Sequence, residues 1–156
     1  MDWKEYIKTG LKQQDEATSF DFNLPAPDNS IIELRRQLGL DELPKVLEEV
    51  YGQTNGIIQT FHGEHIGELI WTVERVTEIN KEYRNSPDFK ELYMSFDQLL
   101  FFSDAGNGDL FGFVTLNGRF GRNDIFVWNH EDDSRTWVAP DLTMFIEWWT
   151  NGTIKV

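Results

Sequence analysis

A chain of 156 residues that is 40% hydrophobic is long enough to bury a substantial core, hiding about two thirds of its unfolded surface within one domain. It contains no Cys, which excludes disulfides, thiolate nucleophiles and cysteine-based zinc sites. Its 14 Lys and Arg stand against 27 Asp and Glu, a formal net charge of −13 with a pI near 4.5, so nucleic acid and anionic membranes are poor partners.

In chain order, Trp3, Tyr6, Ile7 and Leu11 share a helical face behind a capping Asp2, which predicts a helix over about residues 2 to 13. Residues 15 to 27 alternate Phe20, Phe22 and Leu24 before Pro25-Ala26-Pro27, the pattern of an extended segment lying on the core. Asp28-Asn29-Ser30 offers caps for a helix carrying Ile31, Ile32, Leu34 and Leu38, with Gly39 as its stop. The clearest helical stripe is Leu43, Val46, Leu47, Val50 and Tyr51, with Glu48 and Glu49 on the opposite face and Asn55-Gly56 at its end. Strands are predicted from Ile57 and over Glu68 to Trp71, then a helix bearing Val73, Val76, Ile79 and Tyr83 that stops before Pro87. Asp88 to Tyr93 suits one further helical turn. From Leu99 the pattern is β: 99–102, 110–116, 125–128 and 135–138, an antiparallel meander with turn signals at Asn107-Gly108 and Asn117-Gly118 and a charged tip over 129–134. Leu142, Phe145, Ile146 and Trp149 form the face of a last helix, entered through Pro140-Asp141 and ended at Asn151-Gly152.

The glycine-rich stretch Leu100 to Phe113 lacks the lysine and following helix of a phosphate cradle, and most ligand positions of a calcium loop are missing. It reads as a tight hairpin turn in which Asn107-Gly108 supplies positive φ. His62, Glu64, His65 and Glu68 hold zinc-capable groups, but the spacing is not that of a helical zinc motif, and a solvated loop is the alternative. His130 beside Glu131, Asp132 and Asp133 offers a base among acids, although neighbours on a hairpin tip point apart. No serine-nucleophile elbow is present, and nothing recommends Ser95 or Ser103. Trp71, Trp128 and Trp137 fall in predicted strands and are expected in the core, whereas Trp148 is the candidate exposed anchor. With no convincing catalytic set, a binding protein is favoured over an enzyme.

The negative surplus is uneven. Gln37 to Glu74 holds seven acids (Asp41, Glu42, Glu48, Glu49, Glu64, Glu68, Glu74) against Lys45, and Ser103 to Ser134 holds Asp104, Asp109, Asp124, Glu131, Asp132 and Asp133 against Arg119 and Arg122. Both clusters point to a basic partner; solubility alone is the alternative. The start of the chain lacks a secretory pattern and no apolar run reaches the length of a membrane span, so a cytoplasmic protein without a membrane partner is expected.

Leu43-Pro44 opening an amphipathic helix, Asn55-Gly56, the run Leu100-Phe101-Phe102-Ser103-Asp104 with Gly106, Gly108 and Asp109, and Trp128-Asn129-His130-Glu131 ahead of an aromatic final helix resemble the SUKH superfamily. This Smi/Knr-type group includes immunity proteins of bacterial toxin systems and a fungal regulator of cell-wall synthesis. The match runs over about residues 28 to 150, behind an N-terminal helix and extended segment over 1–27, within a single domain over 1–156. Asn107 stands where many members show glycine. The resemblance implies an α+β fold, a central antiparallel sheet of about five or six strands flanked by helices, with no enzymatic activity and no cofactor. It further implies binding and neutralisation of a polymorphic toxin domain of LXG type, often a nuclease such as an RNase. Under that reading Glu48, Glu49, Asp104, Asp109, Glu131, Asp132 and Asp133 steer the partner, and Trp148 anchors it. Two alternatives stay open: a regulator or scaffold that binds a basic cellular protein, and a metal-dependent hydrolase using His62 and His65.

Overall fold

The protein is described by a computed structural model covering residues 1–11, 16–89 and 94–156. Helices α1 (Trp3–Glu5), α2 (Asp28–Leu38), α3 (Lys45–Tyr51), α4 (Val73–Asn85) and α5 (Leu142–Thr150) surround strands β1 (Thr18–Phe22), β2 (Ile57–Phe61), β3 (Glu64–Ile70), β4 (Leu99–Asp104), β5 (Leu110–Val114), β6 (Ile125–Trp128) and β7 (Arg135–Ala139). The α+β class is as expected. The single sheet of five or six strands is instead two antiparallel sheets, one in the order β1-β2-β3 and one in the order β4-β5-β6-β7. No helix among the described residues is long and apolar enough to cross a membrane.

The first two strands of the four-stranded sheet, β4 and β5, are buried on both faces, and β4 shows why. Side chains of adjacent strand residues leave on opposite sides. Phe101 meets Tyr83 of α4 and Trp128, while Phe102 meets Phe145 of α5 and Phe113. A strand covered on both sides reads as an unbroken apolar run, and Leu99 to Phe102 is one.

The outer edge of β4 is closed by groups from other elements. Asn80 of α4, itself buried, accepts from the Phe101 N–H at 2.8 Å and donates to the Phe101 carbonyl at 2.8 Å. Arg84 donates to the Leu99 carbonyl at 3.0 Å, and the Trp71 N–H donates to the Phe102 carbonyl at 2.9 Å. Trp71 also receives the buried Tyr51 hydroxyl on its carbonyl at 2.8 Å, so the end of β3, the helix α3 and the second sheet meet at one residue.

Several expected boundaries move. The N-terminal helix is shorter: after Glu5 the chain widens into a π-helical turn over Tyr6–Gly10, where Thr9 turns its hydroxyl back onto the Glu5 carbonyl and Gly10 follows; residues 12 and 13 lie outside the described residues. Trp3 and Ile7 are nonetheless buried. The extended segment forms β1, but Leu24 is 84% exposed rather than on the core, because the strand has ended and the chain is turning through Pro25 to Pro27. Helix α3 ends at Tyr51, four residues before Asn55-Gly56, and β3 begins at Glu64, four residues before the expected Glu68. The turn after Asp88 is the short helical piece Pro87–Phe89; the rest of that expectation, residues 90–93, lies outside the described residues.

Asn80→Ala would leave both backbone groups of Phe101 buried without partners. A loss of about 2–4 kcal/mol is expected. Urea unfolding should show a lower midpoint with an unchanged slope.

Candidate functional site

In an up-and-down meander, alternate connections emerge at the same end of the sheet. The β4–β5 loop and the β6–β7 tip are therefore brought together, with Leu110 paired to Trp128 and Trp128 to Arg135 beneath them.

The β4–β5 loop is built from side-chain-to-backbone turns. Asp104 Oδ1 accepts from the Gly106 N–H at 3.0 Å, and Asn107 Oδ1 accepts from the Asp109 N–H at 2.9 Å. Positive φ is carried by Gly106 (83°) and Gly108 (105°), not by the expected Asn107-Gly108 pair, since Asn107 uses its side chain to shape the turn. Gly108 has a second reason to be glycine: a Cβ there would lie 2.9 Å from the His130 ring.

Asp109 locks the two loops to each other. Its carboxylate accepts from the His130 N–H at 3.1 Å and lies 2.6 Å from His130 Nδ1. Burial works to raise the Asp109 pKa, but the hydrogen bonds from the His130 ring and backbone, the His130 charge and the Asn107 bond outweigh it, leaving the carboxyl below its ordinary value.

The structure sorts the eight expected site residues into different roles. Asp109 is 4% exposed, so it holds the surface together rather than presenting charge. Asp104 is half-buried and accepts from Trp71 Nε1 at 2.8 Å; the Arg75 guanidinium, stacked over the Trp71 ring, lies 3.5 Å from it and 3.3 Å from Glu68. Asp133, at φ 60°, accepts from Trp128 Nε1 at 2.7 Å and pairs with Arg135 at 3.5 Å. Glu131 and Asp132 are exposed on the tip, where hydrogen bonding from the Ser134 side chain, and then from its backbone N–H, holds the Asp132 carboxyl below its ordinary value. Glu48 and Glu49 are exposed on α3, where Glu49 takes the N-terminal ammonium at 2.5 Å; no hydrogen bond or ion pair among the described residues joins them to the loop end.

Trp148 is half-buried rather than freely exposed and meets Trp137 edge to face at 6.3 Å. Trp137, expected in the core, is 46% exposed, because β7 is the outermost strand and its middle is open to solvent. Its Nε1 donates to Asp124 at 2.9 Å. The two indoles border a groove of about 420 Å³ whose lining includes Val127, Asn129, Thr136 and Ile154. Strand alternation alone carried no sign of this open indole; the missing signal was that β7 is an edge.

The metal-capable set is dispersed along the β2–β3 hairpin. His62 (φ 51°) and Gly63 (φ 80°) make its turn, His65 lies within β3, and Glu68 is paired with Arg75. Among the described residues no three His, Asp or Glu side chains converge to hold an ion. Ser95 caps the turn Phe96–Gln98, and Ser103 is fully buried.

Because the folded Asp109 pKa lies below its ordinary 3.8, its contribution to stability is complete above that value and is lost as pH falls through the folded pKa. Urea unfolding of wild type and Asp109→Asn across pH 2 to 6 should therefore show a gap that is widest near pH 6 and closes toward the acid end. A gap that does not vary with pH would remove the carboxylate from this role.

Comparison with curated proteins gives no match. The pattern of one family matches residues 25–148, a span that takes in α2 to α4, α5 up to Trp148, both loops and both tryptophans of the groove, but not the groove's C-terminal wall. The chain belongs to the SMI1 / KNR4 family (SUKH-1).

Proposed function

We propose that this protein is an immunity protein: it binds a basic toxin domain and neutralises it by occupying the toxin's cationic groove. The finer reading is a nuclease, such as an RNase, carried by an LXG-type polymorphic toxin. The observation that carries the proposal is the tip bearing Glu131 and Asp132, two exposed carboxylates that among the described residues pair with no cation, tied to the neighbouring loop by the Asp109–His130 contact beside two partly open tryptophans. Membership of a family whose domains are known as immunity proteins against polymorphic toxins supports it.

The physics suits the task. A nuclease presents positive charge to hold phosphates, so a chain of net charge −13 is drawn toward it, and steering of this kind lifts association toward ~10⁸ M⁻¹s⁻¹ at low salt. Charge at a rim sets the approach, while buried aromatic contact sets the lifetime. Glu131 and Asp132 take the first role, with Glu48 and Glu49 adding to the field from α3. Trp148, with Trp137, takes the second. Asp104, Asp109 and Asp133 act by holding the loops in shape. The whole chain, 1–156, works as one binding domain that needs no cofactor.

Co-expression with candidate basic toxin domains should restore growth and yield a complex on purification. Glu131→Lys with Asp132→Lys should slow association about tenfold at low salt, with the difference shrinking at high salt. Asp133 is left unchanged, since reversing it would break the Trp128 and Arg135 contacts. An unchanged association rate would remove the tip from the steering surface, and binding to a basic housekeeping protein with no rescue from any toxin would favour a regulator or scaffold.

A further inference from the structure

The two edges of the four-stranded sheet are treated differently. On β4 the outward backbone groups of Leu99, Phe101 and Phe102 are taken up by Arg84, Asn80 and Trp71. Among the described residues no strand lies beyond β7, and no hydrogen bond from outside the β6–β7 ladder reaches the backbone of Arg135 to Val138. Sheet edges are ordinarily blunted with charge or proline. The middle of β7 is Thr136, Trp137 and Val138, and the charge of Arg135 is turned away to the Met94 and Ser95 carbonyls.

The groove bordered by Trp137 and Trp148 takes in this edge strand. Thr136, Trp137 and Val138 of β7 line it together with Val127 of β6 and Asp109, so it starts at the open strand and extends inward over its neighbour. Val138, left unpaired between the Ile125–Ala139 and Phe126–Trp137 pairs, is a bulge that bends the strand beside it. The far wall is the segment Thr153 to Val156, pinned where the Ile154 N–H donates to the Trp148 carbonyl at 3.0 Å. A slot with an open strand edge on one side and a fixed chain segment on the other suits one extended strand.

Charge decides the occupant. A second copy of this chain would bring −13 against −13. The β6–β7 tip, with Glu131 and Asp132, stands where β7 begins. We propose that β7 is a docking strand: an extended segment of a cationic protein partner adds to it as a fifth strand, placing one apolar or aromatic side chain between Trp137 and Trp148 and Lys or Arg side chains toward Glu131 and Asp132. This rests on the reading of a basic toxin as partner and names how that partner is held. Backbone pairing supplies the affinity, and the indole slot supplies the choice of side chain.

The test uses the full-length protein with two short capped peptides, one alternating lysine with valine around a central tryptophan and one with glutamate in place of lysine. The lysine peptide should slow amide exchange at alternate residues of Arg135 to Ala139 and shift the Trp137 and Trp148 indole resonances. The glutamate peptide should do neither. Trp137→Ala, at an exposed position, should weaken the lysine peptide about tenfold or more, and Trp148→Phe, which keeps the packing, should weaken it less. Unprotected β7 amides, equal binding of both peptides, or pairing of two copies through β7 would overturn the docking strand. A toxin complex that forms without protecting β7 would overturn it while leaving the immunity reading in place. Peptide docking at β7 with no toxin neutralised would support the strand and overturn that reading.

Discussion

The structure depends on one strand being covered on both faces and along one edge. In β4, Phe101 and Phe102 point to opposite sides, toward α4 and α5, and burying two aromatic side chains of this size contributes about 2–3 kcal/mol each. Such a strand cannot tolerate unpaired backbone, and Asn80 answers that need by bonding both groups of Phe101. Trp71 extends the same solution to Phe102 and thereby joins the two sheets. Once β4 is set, the meander grows outward from it, and its far edge, β7, is left for solvent.

Rigidity at the loop end follows from polar groups rather than from packing. Asp104, Asp109 and Asp133 each commit their carboxylates to backbone or indole N–H groups, so three of the five acids on these two loops are architectural. The charges of Glu131 and Asp132 face water, on a tip whose His130 is tied to the neighbouring loop. A preorganised charge loses little entropy on binding.

Much of the fold was legible along the chain. The stripes of α2, α3, α4 and α5 appear as apolar residues at helical spacing, and β4 to β7 appear with boundaries within one or two residues, because buried faces impose their period on the sequence. Asp141 and Gly39 act as the caps they resemble. The division into two sheets was not legible, since it depends on whether β3 bonds to β4 along its length or only at Trp71, a matter of three-dimensional approach. Nor was the π-turn over Tyr6–Gly10.

The site divides in the same way. The sequence by itself determined that the surface is strongly acidic, that no cysteine chemistry is available, and that charged and glycine-rich turns join the strands of a meander, because composition and short-range turn chemistry are local properties. Only the tertiary structure decided which acids are free. Asp109 looks like Asp132 on paper, yet one is buried beneath a histidine from a different loop and the other faces water. It also decided that Trp137 is open and Trp71 closed, because a strand's exposure depends on its place in the sheet, and that place is set by pairing between residues distant in the chain.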